Sequence, residues 1–327
     1  MLDDSIFDTP LPEALDEDAA SLLEEAEGDI EKAQQNYIGY TLAYIAEEMP
    51  ELYKQLKTDA NLPDAHAALV EVTWDAIAAF MPMTHSSRPS PEAAKRLTAI
   101  ARVALPAGGA TPDTSLLDVG CGNGLLVPFV TELGIKASSY RGIDVSSRMV
   151  DLADRAHGAS GAVFTDLSFA DELARGAKYD SIVFNGALQF FDDQPQTLID
   201  AASMLTESED ARIVVSHVSG ASFVRKELGD NPTTVRNTMP FLELMQDIAA
   251  KAGLQVVIPS FLGTEVEEIE KNLERFYLVV FRRPRPEDPE EAQAAAGVPL
   301  ELPDAMVDTS LRLGGGNSNV ADPLSLG

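Results

Sequence analysis

LLDVGCGNGLLVPFV, Leu116 to Val130, is the stretch that decides the fold. An apolar β run closes on Asp118, three glycines follow at alternate positions, Gly120, Gly122 and Gly124, and an apolar helical pattern resumes after them. A strand that delivers the chain into a glycine loop ahead of a helix builds a nucleotide-cofactor site. Glycine lets the backbone turn tightly and lets a ligand approach without Cβ interference. The helix start offers unpaired N–H groups to an anionic group. A dinucleotide loop reads G-x-G-x-x-G, which here would put its third glycine at position 125, and that residue is Leu125. The spacing is instead D-x-G-x-G-x-G.

Outward from this loop, strand and helix patterns alternate. Strands are predicted at 115–119, 140–144, 162–166, 179–184, 211–217, 254–258 and 275–281. SRMVDLADRAH, QTLIDAASMLT and TEVEEIEKNLE fall between them as helices. Alternation of this kind is the signature of an α/β, doubly wound, Rossmann-like sheet. Upstream the periodicity is helical, so residues 13–90 are expected to form a helical cap subdomain. IEKAQQNYIGYTLAYIAEEM places Ile30, Ala33, Tyr37, Tyr40, Tyr44 and Ile45 near one stripe, read as a core face. Ser90 followed by Pro91 reads as a helix N-cap and first helical position. The sheet domain is then expected over 91–283. Residues 1–12 are acidic with prolines, and 284–327 are rich in Pro, Glu, Ala and Gly; both read as flexible, without a core of their own.

Composition narrows the function classes. A formal net charge of -29 over 327 residues repels phosphate backbones and anionic lipid, so unaided nucleic-acid binding is disfavoured. The single cysteine, Cys121, excludes an internal disulfide and a thiolate metal cluster, and no metal site is expected. No apolar stretch is long enough to insert in a membrane. MLDDSIFD lacks the basic start of a signal peptide, so the expected setting is intracellular, in the cytoplasm or an organelle interior.

Three further clusters follow the loop in order. GIDVSSRMVDLA ends a strand on Asp144 and Val145, with Asp144 twenty residues after Gly124. A carboxylate at that distance suits the two hydroxyls of a ribose, and its bland alternative is a helix cap supplied by Asp or Ser ahead of SRMVDLA. VFTDLSF ends a strand on Asp166 and Leu167, and YDSIVFNGALQFFDD ends one on Asn185 and Gly186. Beyond the fifth strand, SHVSGASFVRKELGDNPTTVRNTMP begins at His217 and gathers Arg225, Lys226 and Arg236 in an otherwise acidic chain. The functional reading makes this a substrate loop, with His217 as base or hydrogen-bond donor and Arg225 gripping an anion. The structural alternative pairs the arginines with surplus carboxylates.

Four motifs in this order resemble class I S-adenosylmethionine-dependent methyltransferases, over about 115–217. The resemblance implies a seven-stranded sheet whose last strand enters antiparallel. It implies S-adenosylmethionine as cofactor and S-adenosylhomocysteine as product, held by Asp118, Gly120, Cys121, Gly122, Asn123, Gly124, Asp144 and Val145. In the family the acid at Asp166 contacts the adenine amino group, and the next N–H, that of Leu167, reads a ring nitrogen. Asn185, Gly186, Ala187 and Gln189 would line the wall behind the sulfonium. The implied activity is methylation of a small-molecule acceptor, at oxygen or a carboxylate. The rival readings are a protein methyltransferase acting on a basic target and a methyltransferase-like scaffold without turnover, with the tail a candidate for contact with a protein partner.

Overall fold

A computed structural model describes residues 19–58, 62–84, 89–106, 109–111 and 114–284. The segments 1–12 and 285–327, expected to be flexible, lie outside the described residues. The described residues divide into two compact units, 19–84 with 226–236, and 89–225 with 237–284.

Among the described residues the smaller unit contains α1 (Ala19–Glu25), α2 (Ile30–Glu48), α3 (Pro50–Thr58) and α4 (Pro63–Thr84), with residues 226–230 of a helix that begins at Gly220. Asp29 caps α2 by accepting from the Lys32 N–H at 3.1 Å. The face of α2 that packs inward carries Ala33, Ile38, Leu42 and Ile45, against Leu56 of α3 and Ala65, Leu69, Val72 and Ala76 of α4. Of the expected stripe, Ala33 and Ile45 are buried, and Ile30, Tyr37 and Tyr40 pack half-buried against a second cluster of Leu22, Ala26, Ala33 and Phe80. Tyr37 packs against the core at its edge, while Tyr44 is 44% exposed. A helix periodicity of 3.6 places two adjacent stripes within reach of one face, and the aliphatic one carries the burial. Within this unit the His66 ring donates from Nε2 to the Thr234 carbonyl at 2.9 Å, since a carbonyl oxygen can only accept.

The larger unit opens with α5 (Pro91–Ala104), capped by Ser90, whose Oγ accepts from the Ala93 N–H at 3.1 Å. Then strands and helices alternate: β1 (Leu116–Val119), α6 (Val127–Glu132), β2 (Tyr140–Asp144), α7 (Ser147–His157), β3 (Val163–Asp166), α8 (Phe169–Ala174), β4 (Ser181–Asn185), α9 (Gln194–Ser203), β5 (Arg212–His217), α10 (Gly220–Asp230), α11 (Leu242–Lys251), β6 (Gln255–Val257), α12 (Val266–Leu273) and β7 (Tyr277–Arg282). They form one seven-stranded sheet in the order β3-β2-β1-β4-β5-β7-β6. The first five pair in parallel, and β7 runs antiparallel to both β5 and β6. Strands β1, β5 and β7 are buried along their whole length and β4 is buried up to Asn185, which is half-buried; they therefore read as largely continuous apolar runs rather than alternating ones. The edge strand β3 is half exposed.

Strand order reverses between β1 and β4, so successive crossovers leave in opposite directions there. The loops after these two strands part and open a crevice at their carboxyl ends. The glycine loop follows β1 and Asn185–Gly186 closes β4, so the topology itself brings these motifs together.

Away from that crevice a buried ion pair joins α8 to the sheet. Glu172 accepts two bonds from Arg141 of β2, at 3.0 and 2.8 Å, and a third from the Tyr179 hydroxyl. Burial pushes its carboxyl up, but the bonds from Arg141 and Tyr179 and the charges of Arg141 and Arg175 outweigh that and hold it low. We expect Glu172→Gln to destabilise the fold by about 1–3 kcal/mol at pH 7, as a buried charge-assisted cluster loses its anion. Because the folded value is depressed, the wild-type advantage is full above pH 4.5 and is lost as pH falls through the folded value. Urea melts of both proteins between pH 7 and pH 3 check this.

Candidate active site

The site begins where β1 ends. The Gly120 and Cys121 N–H groups both donate to the Ile143 carbonyl of β2, at 2.9 and 3.0 Å, and the Gly124 N–H donates to the Cys121 carbonyl at 3.0 Å. Gly120, Gly122 and Gly124 all take positive φ, of 67°, 53° and 75°, a region that disfavours a side chain. Their surroundings separate their roles. A Cβ on Gly120 would sit 2.7 Å from the Ala187 Cβ, and one on Gly124 would sit 2.8 Å from the His157 ring. Those two glycines are needed for packing. A Cβ on Gly122 would meet nothing within 4 Å, so Gly122 leaves its backbone open to a ligand.

Asp144 organises this loop. Its Oδ2 accepts from the Gly122 N–H at 2.8 Å and its Oδ1 from the Ser146 N–H at 2.9 Å. Helix α7 is capped by Ser146, whose Oγ accepts from the Met149 N–H. The cap alternative thus falls to Ser146, and the Asp144 carboxylate faces the glycine loop. Val145 is half-buried between Asp144 and the cap.

Two expectations are corrected here. The Leu167 N–H, expected to read an adenine nitrogen, donates to the Asp144 carbonyl at 3.1 Å and is spent on joining β3 to β2. The helix after the glycine loop is short and late: α6 spans six residues, starts at Val127 and has no side-chain cap. Turns occupy 122–126, so no helix N-terminus abuts Gly124. Asp166 is exposed at the end of β3, in register with Asp144, and Asn123 is half-buried in the loop.

Beneath the loop lies a polar group in an apolar place. Asp118 is buried in the middle of β1; the Tyr140 hydroxyl of β2 donates to its Oδ2, and its Oδ1 has no partner. Burial pushes its carboxyl up to about 7, the Tyr140 bond works against that, and the charge of Asp144 adds to it. Gly142 stands opposite Asp118 in the β1–β2 register. A Cβ there would lie 2.7 Å from the Cys121 sulfur and 2.8 Å from Phe164, so the glycine makes room for Cys121 to fold back over the sheet. The thiol is buried, and burial followed by the charges of Asp144 and Asp118 keeps it protonated. A thiol so placed is a packing group rather than a nucleophile.

Across the crevice, the chain after β4 is held open by its own bonds. Gly186, at φ 69°, donates its N–H to the Ser216 carbonyl of β5 at 2.8 Å. The Ser216 hydroxyl donates to Asn185 Oδ1 at 3.1 Å, which leaves the Asn185 amide N–H₂ as the outward-bonding end. Ala187 packs on Gly120, and Gln189 is buried with its Oε1 unpartnered. Residues not singled out from the sequence fix this turn. Gln194 Nε2 donates to the Leu188 and Thr238 carbonyls, both at 3.1 Å, and Asn237 Nδ2 donates to the Phe191 carbonyl at 2.7 Å. Phe191 joins Phe169 and Phe184 in an edge-to-face cluster with centroids 5.6–5.9 Å apart, which anchors the turn to the core.

His217 closes β5. Its Nδ1 accepts from the Ser219 N–H at 3.2 Å, and its ring stacks on Phe223 at 5.4 Å. Burial holds the imidazole down to about 4, so it is neutral near pH 7. Because Nδ1 accepts, the proton sits on Nε2. That atom lies 4.0 Å from where a Gly186 Cβ would be. His217 therefore presents an N–H donor beside Gly186. Arg96, buried on α5, steadies the segment that follows by donating to the Val218 and Arg275 carbonyls. Arg225 is not part of this group. It forms a two-pronged ion pair with Glu274, with Nη1 to Oε1 at 3.0 Å, as the structural alternative held. Arg236 belongs to the helical unit. Among the described residues no cluster of His, Cys, Asp and Glu could hold a metal ion, and no helix is long and apolar enough to cross a membrane.

Residues 117–208 match the family model described as a methyltransferase domain. Among curated proteins none matches the chain. Solved structures that resemble it include the CcbJ methyltransferase from Streptomyces caelestis, at 17% identity and a TM-score of 0.44, covering 61% of this chain and 100% of that one. The N-methyltransferase NodS from Bradyrhizobium japonicum is 20% identical with a TM-score of 0.43, covering 60% and 98%. Magnesium protoporphyrin IX methyltransferase (ChlM) from Synechocystis, solved with bound SAH, is 13% identical with a TM-score of 0.38, covering 75% and 98%.

If Asp144 both shapes the loop and receives a ligand hydroxyl, its removal costs affinity beyond one bond. We expect Asp144→Ala to weaken S-adenosylhomocysteine binding by about 1–3 kcal/mol per lost charge-assisted bond, read by calorimetry. Unchanged affinity would reduce Asp144 to a fold residue.

Proposed function

We propose that this chain, whose residues 117–208 match a methyltransferase-domain model, is a class I S-adenosylmethionine-dependent methyltransferase that methylates a small molecule at an oxygen or a carboxylate. The cofactor, when bound, supplies an activated methyl group on a sulfonium. The residues present fit it: Gly122 leaves its backbone open, the Asp144 carboxylate is bonded to the Gly122 N–H at the loop, and Asp118 keeps one carboxyl oxygen unpartnered.

The observation that carries the acceptor reading is the state of His217. A neutral ring whose Nδ1 already accepts a backbone N–H has no lone pair to take a proton at Nε2. It can donate a hydrogen bond and cannot serve as the base. Methyl transfer is an in-line displacement that alignment and exclusion of water can accelerate, and an acceptor that arrives ionised needs no base. A carboxylate meets that condition at neutral pH. His217 Nε2–H and the Asn185 amide are donors suited to hold such an oxygen on the carboxyl side of the sheet. The net charge of -29 supports a second reading, a basic protein as acceptor.

The test is turnover of S-adenosylmethionine, followed as S-adenosylhomocysteine released, with small carboxylates, alcohols, amines and a basic protein offered in parallel. The proposal expects a carboxylate to react. It expects no acid limb from His217 between pH 6 and pH 8. His217→Phe should lower kcat/KM by about 1.5–3 kcal/mol, the worth of a hydrogen bond to a charged group, mainly through KM. Gly122→Arg, which fills the open side of the loop, should abolish S-adenosylhomocysteine binding. Turnover of the basic protein alone would select the second reading. A folded protein that binds neither cofactor nor product would be a scaffold.

A further inference from the structure

Arg275 stands in the turn between α12 and β7, at the end of the sheet where β5 closes on His217. His217 faces Tyr277 in the β5–β7 register. One atom, Arg96 Nη1, donates to the carbonyls of both Val218 and Arg275. Two acceptors of one nitrogen lie within about 6 Å of each other, so the Arg275 backbone flanks the residue that follows His217. Gly220, at φ 79°, lets α10 close on the same turn, since a Cβ there would sit 2.5 Å from the Arg275 carbonyl carbon. The guanidinium meanwhile lacks an anion. Its Nη2 is buried with no acceptor, the residue as a whole is half-buried, and among the described residues no carboxylate pairs with it. Acids are not scarce: 53 of them face 24 lysines and arginines, and Arg141, Arg212 and Arg225 each pair with one. The nearest in sequence, Glu274, is spent. Its carboxylate pairs with Arg225, and its carbonyl accepts from the Ser222 N–H and hydroxyl. A guanidinium nitrogen shielded from water without an acceptor carries a cost that an incoming anion removes.

We infer that Arg275 binds a second anionic group on the acceptor, one that keeps its charge while the carboxylate beside His217 is methylated. The inference rests on the carboxylate reading above and narrows its substrate class to acids with a further carboxylate or phosphate. Charge balance separates the two positions. In the transfer the S–CH3 bond breaks and an O–CH3 bond forms, so sulfonium and carboxylate become a neutral thioether and a neutral ester. A cation on the attacking carboxylate would stabilise the reactant charge and lose its hold as the ester forms, which raises the barrier. The neutral N–H of His217 suits that oxygen, and the full charge of Arg275 suits a group that stays ionised from substrate to product. Contact with such a group is equally strong in the ground state and the transition state, so it acts through KM rather than kcat. The planar fork of donors matches the paired oxygens of a carboxylate or phosphate.

Turnover by the full chain, followed as S-adenosylhomocysteine released, tests this with matched acids. Glutarate and adipate are set against valerate and hexanoate, and phosphoglycolate against glycolate. The wild type should prefer the doubly anionic member, and the pair that shows the larger preference tells carboxylate from phosphate. Arg275→Gln should raise KM for the preferred acid by about ten- to hundredfold, the worth of a hydrogen bond between charged groups, with kcat little changed, and should erase the preference. Arg275→Lys should restore part of it, since lysine keeps the charge and loses the fork. Thermal melts would confirm that each variant is folded. A wild type that treats the members of every pair alike overturns the second anion and leaves the carboxylate reading standing. So does a preference that Arg275→Gln leaves intact, or a loss in that variant that falls equally on both members of a pair. No turnover of any of these acids overturns the carboxylate reading and this inference with it.

Discussion

The Asp144 carboxylate is the joint on which the binding side of this sheet depends. One oxygen takes the N–H of Gly122 and the other the N–H of Ser146, while its backbone carbonyl takes the N–H of Leu167. A single residue thereby ties the loop after β1, the start of α7 and the end of β3 to the end of β2. Each bond is worth on the order of a kilocalorie in isolation. Their joint effect is preorganisation: the loop is held with Gly122 facing outward before any ligand arrives, so binding does not have to order it.

Electrostatics at this end of the sheet run against the rest of the molecule. Over the surface, surplus carboxylates are solvated or paired, as Arg225 with Glu274. Under the loop, two carboxyls share a buried volume with a thiol and a phenol, and burial penalises every charge there. The protein answers by holding Asp118 near the point of ionisation and His217 neutral. Both states follow from desolvation, and the neutral imidazole keeps a fixed donor beside Gly186.

The glycine loop, the acid twenty residues on and the succession of strands and helices were legible because each rests on local rules: φ at glycine, alternation of elements, apolar runs in buried strands. Where the reading went astray, the cause was a partner distant in sequence. The Leu167 N–H looked free until β3 was placed against β2 and the Asp144 carbonyl came within 3.1 Å. Arg225 looked like an anion grip until Glu274, forty-nine residues on, faced it. On α2 the tyrosines and the aliphatic residues keep the same helical period; Ile45 was legible, and only packing against α3 and α4 chose Ile38 and Leu42 for the core. The loop pattern also overstated the helix behind it, since turns occupy 122–126 before α6 begins at Val127.

By itself the sequence determined a doubly wound sheet, a glycine loop of D-x-G-x-G-x-G spacing and the acidic residue that answers it, because those properties are encoded in short runs of adjacent residues. The tertiary structure decided the rest. It set which glycine packs and which stays open, which atom of His217 carries the proton, and that Tyr140 reaches Asp118 across the β1–β2 register. These are facts about neighbours brought together by strand order. Burial and cross-strand distance, which govern protonation and hydrogen bonding, have no value until the chain is folded.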